Sequence, residues 1–387
     1  MGVDLVLTDS SLKRIGLDDA KWSMTSEHAE MVIDRTMAIA MNATDVRSSF
    51  IYSDKQYKYT NFYYFCIMGE IKNEWFIIVN PRAGSGRTMS QWVPAEHRLE
   101  GYGIPYVTAF TDHCGHATQL AGEAASMGYR KILAVGGDGS LHETLTGICQ
   151  WCDRTGTDPS EFYLGVAPIG SGNDWIKSFG ISPDIRQVID LMAASSFCRM
   201  DVLRADSADG RSCYMANGCG TGFDAHVCVK VNSEKEAGHR SRLIYVKALA
   251  GTIKNLETIR IQVITDGKVM FEGPCYSVAA GNGRYSGGGM RQVSIAETDD
   301  GLIDVMVVPV IKVTTIAREV PRLFNGTVHK SSSILYARCR HLQIVPLDSM
   351  SADTIEVDGE IEGRLPLSIT TGGRQINVLC QKKPDGR

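Results

Sequence analysis

Three times between residues 75 and 175 a short apolar run breaks into a glycine-rich loop and then into a helical pattern. Trp75–Val79 leads into Asn80-Pro81-Arg82-Ala83-Gly84-Ser85-Gly86, Lys131–Val135 into Gly136-Gly137-Asp138-Gly139-Ser140, and Leu164–Pro168 into Gly170-Ser171-Gly172-Asn173-Asp174. Strands alternating with helices build a parallel sheet with helices on its faces. Such a sheet places its ligand at the carboxyl ends of its strands, where these three loops lie. Backbone N–H groups at a helix start suit phosphate, and glycine lets the chain approach it closely. Between the loops, Met89–Glu100 reads as a helix whose start is blurred by Pro94. Tyr106–Phe110 reads as a strand, and Ala117, Leu120, Ala121 and Ala124 share one helix face.

Beyond Met200 the pattern changes. Short β-rich runs at Ser212–Ala216, Thr258–Ile264, Cys275–Ala280, Leu302–Val310, His341–Val345 and Thr354–Val357 are separated by Gly, Asp and Asn turns. The fold class expected is therefore an α/β N-terminal domain over 72–200 and a mostly antiparallel β-rich domain over 201–380. Val229–Asn255 is the expected helical insertion. Residues 1–67 match neither pattern. Eight aromatics crowd Phe50–Phe65 without a clear period, and Met68 opens a polar stretch leading straight into the first strand. The segment reads as an atypical N-terminal extension, either extraneous translated sequence or a genuine add-on; the first reading is favoured and expects a chain starting at Met68 to be folded and active.

The formal net charge of −4 argues against a protein that coats nucleic acid, which needs a large positive field. The eleven cysteines cannot all pair internally. Cys149 and Cys152 form the sole C-x-x-C, with no second pair at zinc spacing, and are read as reduced thiols on a helix. Those thiols, with no apolar stretch near the ~20 residues that span a bilayer and no signal-peptide pattern, predict a cytoplasmic protein with at most a peripheral membrane role.

The loop spellings carry the chemistry. No G-x-x-x-x-G-K-[ST] occurs, and no G-x-G-x-x-G follows the first strand, so neither a Walker loop nor a dinucleotide fingerprint is present. In the middle loop Asp138 stands between Gly137 and Gly139. A carboxylate among phosphate-binding amides needs a cation between itself and the phosphate, and Mg²⁺ is the natural one.

These loops resemble the diacylglycerol kinase catalytic domain, the superfamily of soluble bacterial diacylglycerol kinases and of sphingosine and ceramide kinases. The resemblance continues through Gly136-Gly-Asp-Gly-Ser-Leu-His-Glu143, Asn217-Gly-Cys-Gly-Thr-Gly-Phe-Asp224, Gly281–Gly289, Ala296–Asp304 and Val357-Asp-Gly-Glu360, covering roughly 72–380 in order. The departure is Gly170-Ser171-Gly172, where Gly-Thr is commoner. The resemblance implies an ATP- and Mg²⁺-dependent lipid kinase with diacylglycerol as the default acceptor and its active site in the cleft between the two domains. It places Asn80, Pro81, Arg82, Ala83, Gly84, Thr111, Gly137, Asp138, Gly139, Ser140, Leu141, His142, Glu143 and Ser171 on the nucleotide. It also places a second Mg²⁺ at Glu297, Asp300 and the Leu302 carbonyl. Asp138 acts near the phosphates, and the general base is Asp358 or Glu360. The residues alone do not choose between those two, while the resemblance favours Glu360. Alternatives are a sphingoid-base or other lipid kinase, an NAD kinase-like enzyme, which lacks the Pro168–Asp174 loop and the terminal D-G-E, and a silent nucleotide-binding regulator.

Arg82, Arg87 and Lys177 flank the loops as candidate phosphate partners or as surface cations. His116 and His142 are expected to cap or pack. Arg318, Arg322, Lys330, Arg338 and Arg340 surround a single acid, Glu319, giving a local charge of 5 − 1 = +4. Ile316, Val320, Leu323 and Phe324 interleave as a helix face that Pro321 is expected to kink or shorten. This stretch is the candidate lipid-facing surface, though a solvated helix packed on the core fits the same pattern. The expected partner is a lipid substrate at a membrane surface, without nucleic acid, and a homodimer is compatible with the sequence.

Overall fold

The computed structural model describes residues 71–381, apart from 171, 237–247, 249–250, 253–255 and 352. Both the expectation for 1–67 and Ser171 therefore lie outside the described residues.

The first sheet runs β2(Tyr106–Phe110), β1(Lys72–Val79), β3(Tyr129–Gly136), β4(Tyr163–Pro168), β17(Gln375–Leu379), β5(Phe197–Asp201). It is parallel through β17 and closes with an antiparallel β5. Its strands are continuous apolar runs, Phe76–Val79 and Ile132–Val135 among them, because helices cover both faces. Those helices are α1(Thr88–Gly101), α2(His116–Ser126), α3(Asp138–Thr155) and α4(Ile185–Ala193). Trp92, Leu99, Leu141, Leu145 and Ile148 are fully buried against the strands. α1 passes through Pro94 unbroken. α3 begins at Asp138, three residues earlier than the sequence pattern places it at Leu141. Extended Gly137 is its N-cap, so the glycine-rich loop is itself the first helical turn.

The second sheet is antiparallel, in the order β15(Glu360–Arg364), β14(Thr354–Val357), β8(Gly218–Gly222), β10(Lys268–Gly281), β9(Ile259–Thr265), β13(His341–Pro346), β16(Leu367–Thr370), β6(Leu203–Ser207), β7(Ser212–Met215). β11(Ile303–Pro309) pairs with β10 and with β12(Leu335–Cys339). Here burial alternates, as in β9, where Ile259, Ile261 and Val263 point inward and Arg260 outward. α5(Phe223–Glu236) falls in the expected helical insertion. α6(Val313–Asn325) runs intact through Pro321 to a left-handed Gly326 cap, so the expected kink or shortening does not occur. The ten described cysteines form no disulfides with one another, and Cys149 and Cys152 lie buried on α3.

Candidate active site

The carboxyl ends of β1, β3 and β4 and the near edge of the second sheet enclose a cavity of about 1000 Å³. Its α/β wall is backbone-rich. The Asn80 side chain donates to Ser140 Oγ (3.3 Å) and the Ile169 N–H to the Gly136 carbonyl (2.7 Å), so the three glycine loops are laced into one surface. Gly170 needs to be glycine, because a Cβ there would lie 2.8 Å from Asn173 Oδ1 and 3.3 Å from Gly137 Cα. Asn80, Arg82, Ala83, Gly84, Thr111 and every residue from Gly137 to Glu143 line the cavity, whereas Pro81 does not. Arg87 folds back onto its own loop, Nε donating to the Gly84 carbonyl (2.9 Å).

Asp138 caps the next loop. Its carboxylate accepts from the Asp174 N–H (3.2 Å) and more weakly from the Trp175 N–H (3.4 Å). Burial, reinforced by the neighbouring Asp174 charge, pushes it up to about 6. Asp174 in turn pairs with Lys177 and accepts from the Gly288 N–H of the second half (2.6 Å). Lys177 is thus already committed to a carboxylate. Glu143 holds the start of α2, accepting from the N–H groups of Gly115 (2.9 Å) and Ala117 (3.0 Å). Capping a helix with a carboxylate satisfies its orphan donors and its positive end.

The opposite wall comes from the β14–β15 hairpin. Val357 pairs with Glu360 across a two-residue turn, Asp358-Gly359, whose φ angles of +51° and +88° suit the hairpin twist. Asp358 and Glu360 differ sharply. Asp358 is buried, and its oxygens accept from the N–H groups of Ala216 (2.9 Å), Asn217 (2.9 Å) and Gly218 (3.0 Å) and face His142 Nδ1 (3.1 Å). Glu360 reaches across the cavity to the first turn of α3, so that a Cβ on Gly139 would lie 2.5 Å from its Oε1.

His142 is the strut between the walls. It is almost fully buried, with Nδ1 toward Asp358 and Nε2 toward Glu362 (3.4 Å). Burial alone would favour the neutral ring, yet the two carboxylates push it up to about 10. It therefore stands as an imidazolium joining the GGDGS helix to the D-G-E hairpin, a packing role with a charge in it.

Sequence reasoning did not single out four further cavity residues. The Oδ1 atoms of Asn173 and Asn217 are buried and have no hydrogen-bond partner among the described residues. Glu356 and Asp224 meet above Gly220, and burial together with Asp224 pushes Glu356 up to about 8. Ile355 and Val357 point into the core, which turns Glu356 to the cavity side; that alternation is the signal available for it.

The proposed second Mg²⁺ residues do not line this cavity. Glu297 is exposed, while Asp300 pairs with Arg338 and accepts from the Leu302 N–H (3.0 Å). Arg338 also pairs with Asp304 (3.3 Å), and Arg318 and Arg322 with Glu319. Glu319 is already in that count, so the two acids from outside the stretch, Asp300 and Asp304, bring the local +4 to 4 − 2 = +2.

The diacylglycerol kinase catalytic domain matches residues 74–205, and the YegS C-terminal NAD kinase beta sandwich-like domain matches 218–380. The chain belongs to the diacylglycerol kinase family of lipid kinases. It is 28% identical over 292 residues, 75% of this chain and 90% of the other, to a Xanthomonas campestris protein named "Probable lipid kinase YegS-like". It is 24% identical over 304 residues, 79% of this chain and 91% of the other, to a diacylglycerol kinase of Staphylococcus aureus. The crystal structure of a diacylglycerol kinase from Bacillus anthracis shares the fold, with a TM-score of 0.62 at 23% identity, covering 80% of this chain and 97% of that one. Among the described residues no helix is long and apolar enough to cross a membrane.

Proposed function

We propose that this kinase transfers the γ-phosphoryl group of ATP, with Mg²⁺, to the hydroxyl of a lipid alcohol, diacylglycerol being the leading acceptor. The observation that carries this reading is the placement of Glu360 over the helix turn that begins at Asp138. The residues fit the cofactors. Asp138 and the orphan oxygens of Asn173 and Asn217 are hard oxygen donors of the kind Mg²⁺ takes, and the glycine loops are a backbone cradle for phosphate. Bound Mg²⁺ supplies charge neutralisation for the transferring phosphoryl group.

The chain's own residues do the rest. Asn80 and the loops around Gly84, Gly137 and Gly170 position the phosphates. Glu360 takes the proton of the lipid hydroxyl. Asp358 has its lone pairs filled by three N–H groups and an imidazolium, so it builds the hairpin and leaves the proton transfer to Glu360.

The acceptor's chains have an apolar way in. A second pocket, of about 80 Å³, lies beneath α6 and is walled by Met306, Ile316, Val320 and Leu323. It shares Phe223 and Met290 with the main cavity. The test is incubation with labelled ATP and a total lipid extract, followed by mass analysis of the product. Phosphatidic acid is expected. A phosphorylated sphingoid base would move the assignment to that acceptor, and the absence of any phosphorylated lipid would overturn it.

A further inference from the structure

The loop between β2 and α2 reads Asp112-His113-Cys114-Gly115-His116, and the reading above uses none of its side chains. Asp112 Oδ1 contacts both the Nδ1 of His113 and the Nδ1 of His116, the latter at 2.8 Å. The imidazoles stack in parallel, 4.7 Å apart and 9° from coplanar, so both present the same edge to one oxygen. His116 Nδ1 also lies 3.1 Å from the Asp112 N–H. The two contacts of that nitrogen conflict. Protonated, it serves the carboxylate and leaves the N–H facing a donor; unprotonated, it accepts the N–H and sets its lone pair against the carboxylate oxygen.

A cation at the point of convergence removes the repulsion between that lone pair and the carboxylate, at the cost of the Asp112 N–H contact. Two imidazole nitrogens and a carboxylate oxygen suit Zn²⁺ and similar first-row divalent ions, where Mg²⁺ prefers oxygen alone. The three ligand atoms lie within 4.8 Å of one another. Around a tetrahedral Zn²⁺ with bonds of about 2.1 Å they would sit roughly 3.4 Å apart, a small adjustment for a loop whose His113 is exposed. From Asp112 Oδ1, His113 Nδ1 and His116 Nδ1 we infer that the β2–α2 loop is a three-ligand site for Zn²⁺ or a chemically similar transition-metal ion. Asp112 and His113 line the main cavity, so the site adjoins that space. The other grouping of such side chains among the described residues, His142, Cys213 and Glu362, is a poorer host, because both nitrogens of His142 already serve carboxylates.

The inference does not depend on the kinase reading and is tested by binding alone. The untagged full-length chain, stripped with a chelator, is titrated calorimetrically with Zn²⁺ and, in parallel, with Co²⁺ while its visible absorption is followed. One Zn²⁺ per chain is expected, with the Co²⁺ bands of a four- or five-coordinate site. His113→Gln, at an exposed position that leaves the core untouched, is expected to weaken Zn²⁺ at least tenfold and to remove the bands. His116→Gln should do the same, and Cys213→Ser should leave both unchanged. Failure of the wild-type chain to bind Zn²⁺ in the micromolar range would overturn the inference, as would binding that survives both histidine variants or that is lost in Cys213→Ser.

Discussion

The two walls of the cavity are made of different materials. The α/β wall is backbone-rich, three glycine-rich turns that line the cavity, where side chains such as Asn80 tie one turn to the next. The β-rich wall is carboxylate, with Glu356, Asp358, Glu360 and Glu362 carried on one hairpin. Backbone amides can hold any phosphate chain but cannot move a proton. Carboxylates can move a proton but repel phosphate. Phosphoryl transfer to an alcohol needs both, and the division lets each wall be rigid in its own way. Asp112, Asp138, Glu143 and Asp174 are carboxylates on the amide side, and of these Asp138 is the one the proposed Mg²⁺ would meet.

The comparison breaks first at Asp138. Asp138→Asn keeps the shape of the loop and removes its charge, and kcat is expected to fall about 10³-fold or more, with the fold intact by circular dichroism. A residual rate above about a tenth of wild type, less than ~1.4 kcal/mol of barrier, would remove Asp138 from the chemistry. Because its pKa lies near 6, Mg²⁺-nucleotide affinity of the wild type should rise with pH through that value, read by calorimetric titration between pH 5 and 8.

Next comes the hairpin pair. Glu360→Gln is expected to lower kcat by about 10²-fold or more with little change in KM for ATP. Asp358→Asn should instead act on stability, since an amide NH₂ would face the backbone donors of Ala216 to Gly218. The expected loss is about 3–5 kcal/mol, measured by urea unfolding. If Asp358→Asn unfolds normally and loses more kcat than Glu360→Gln, the two roles are exchanged.

His142 sharpens the comparison through pH. Its folded value, about 10, is above the ordinary 6.5, so the strut's contribution is complete below pH 6.5 and declines as pH rises toward 10. The melting temperature of the wild type should therefore drop between pH 7 and 9.5 more steeply than that of His142→Gln. Parallel slopes would mean that the ring is neutral. The smallest effect is expected at the lipid end. Val320→Ala on α6 should raise KM for lipid in mixed micelles by roughly fivefold, about 1 kcal/mol, and leave KM for ATP unchanged.

Much of the amide wall was legible in the sequence, because each loop is a local event. The apolar run, the glycines and the helix that follows are contiguous, and the structure shifts only the start of α3. The carboxylate wall was legible only as spelling. That Asp358 is consumed by three N–H groups depends on Ala216–Gly218, some 140 residues away, and no local pattern encodes that meeting. The same distance hid β17, a five-residue strand whose partners β4 and β5 lie far upstream. The charge of the basic stretch was only partly legible for a related reason. Glu319 could be counted against it, whereas Asp300 and Asp304 meet Arg338 only once β11 and β12 pair.

β17 has a mechanical consequence. The polypeptide crosses between the sheets at Asp201–Leu203 and again between Thr370 and Gln375, and the crossings are bonded side by side through the Val202 N–H and the Arg374 carbonyl (2.9 Å). A single crossing would be a swivel. Two in register make a strap, which bends about one axis and resists twisting. Any closure of the two walls would thereby be confined to a clam-like rotation that keeps Glu360 aimed at the α3 terminus. For the same reason the amide wall cannot be cut free. A fragment ending at residue 200 would leave the edge of β4 bare and β5 without its partner, the kind of open edge that recruits other chains.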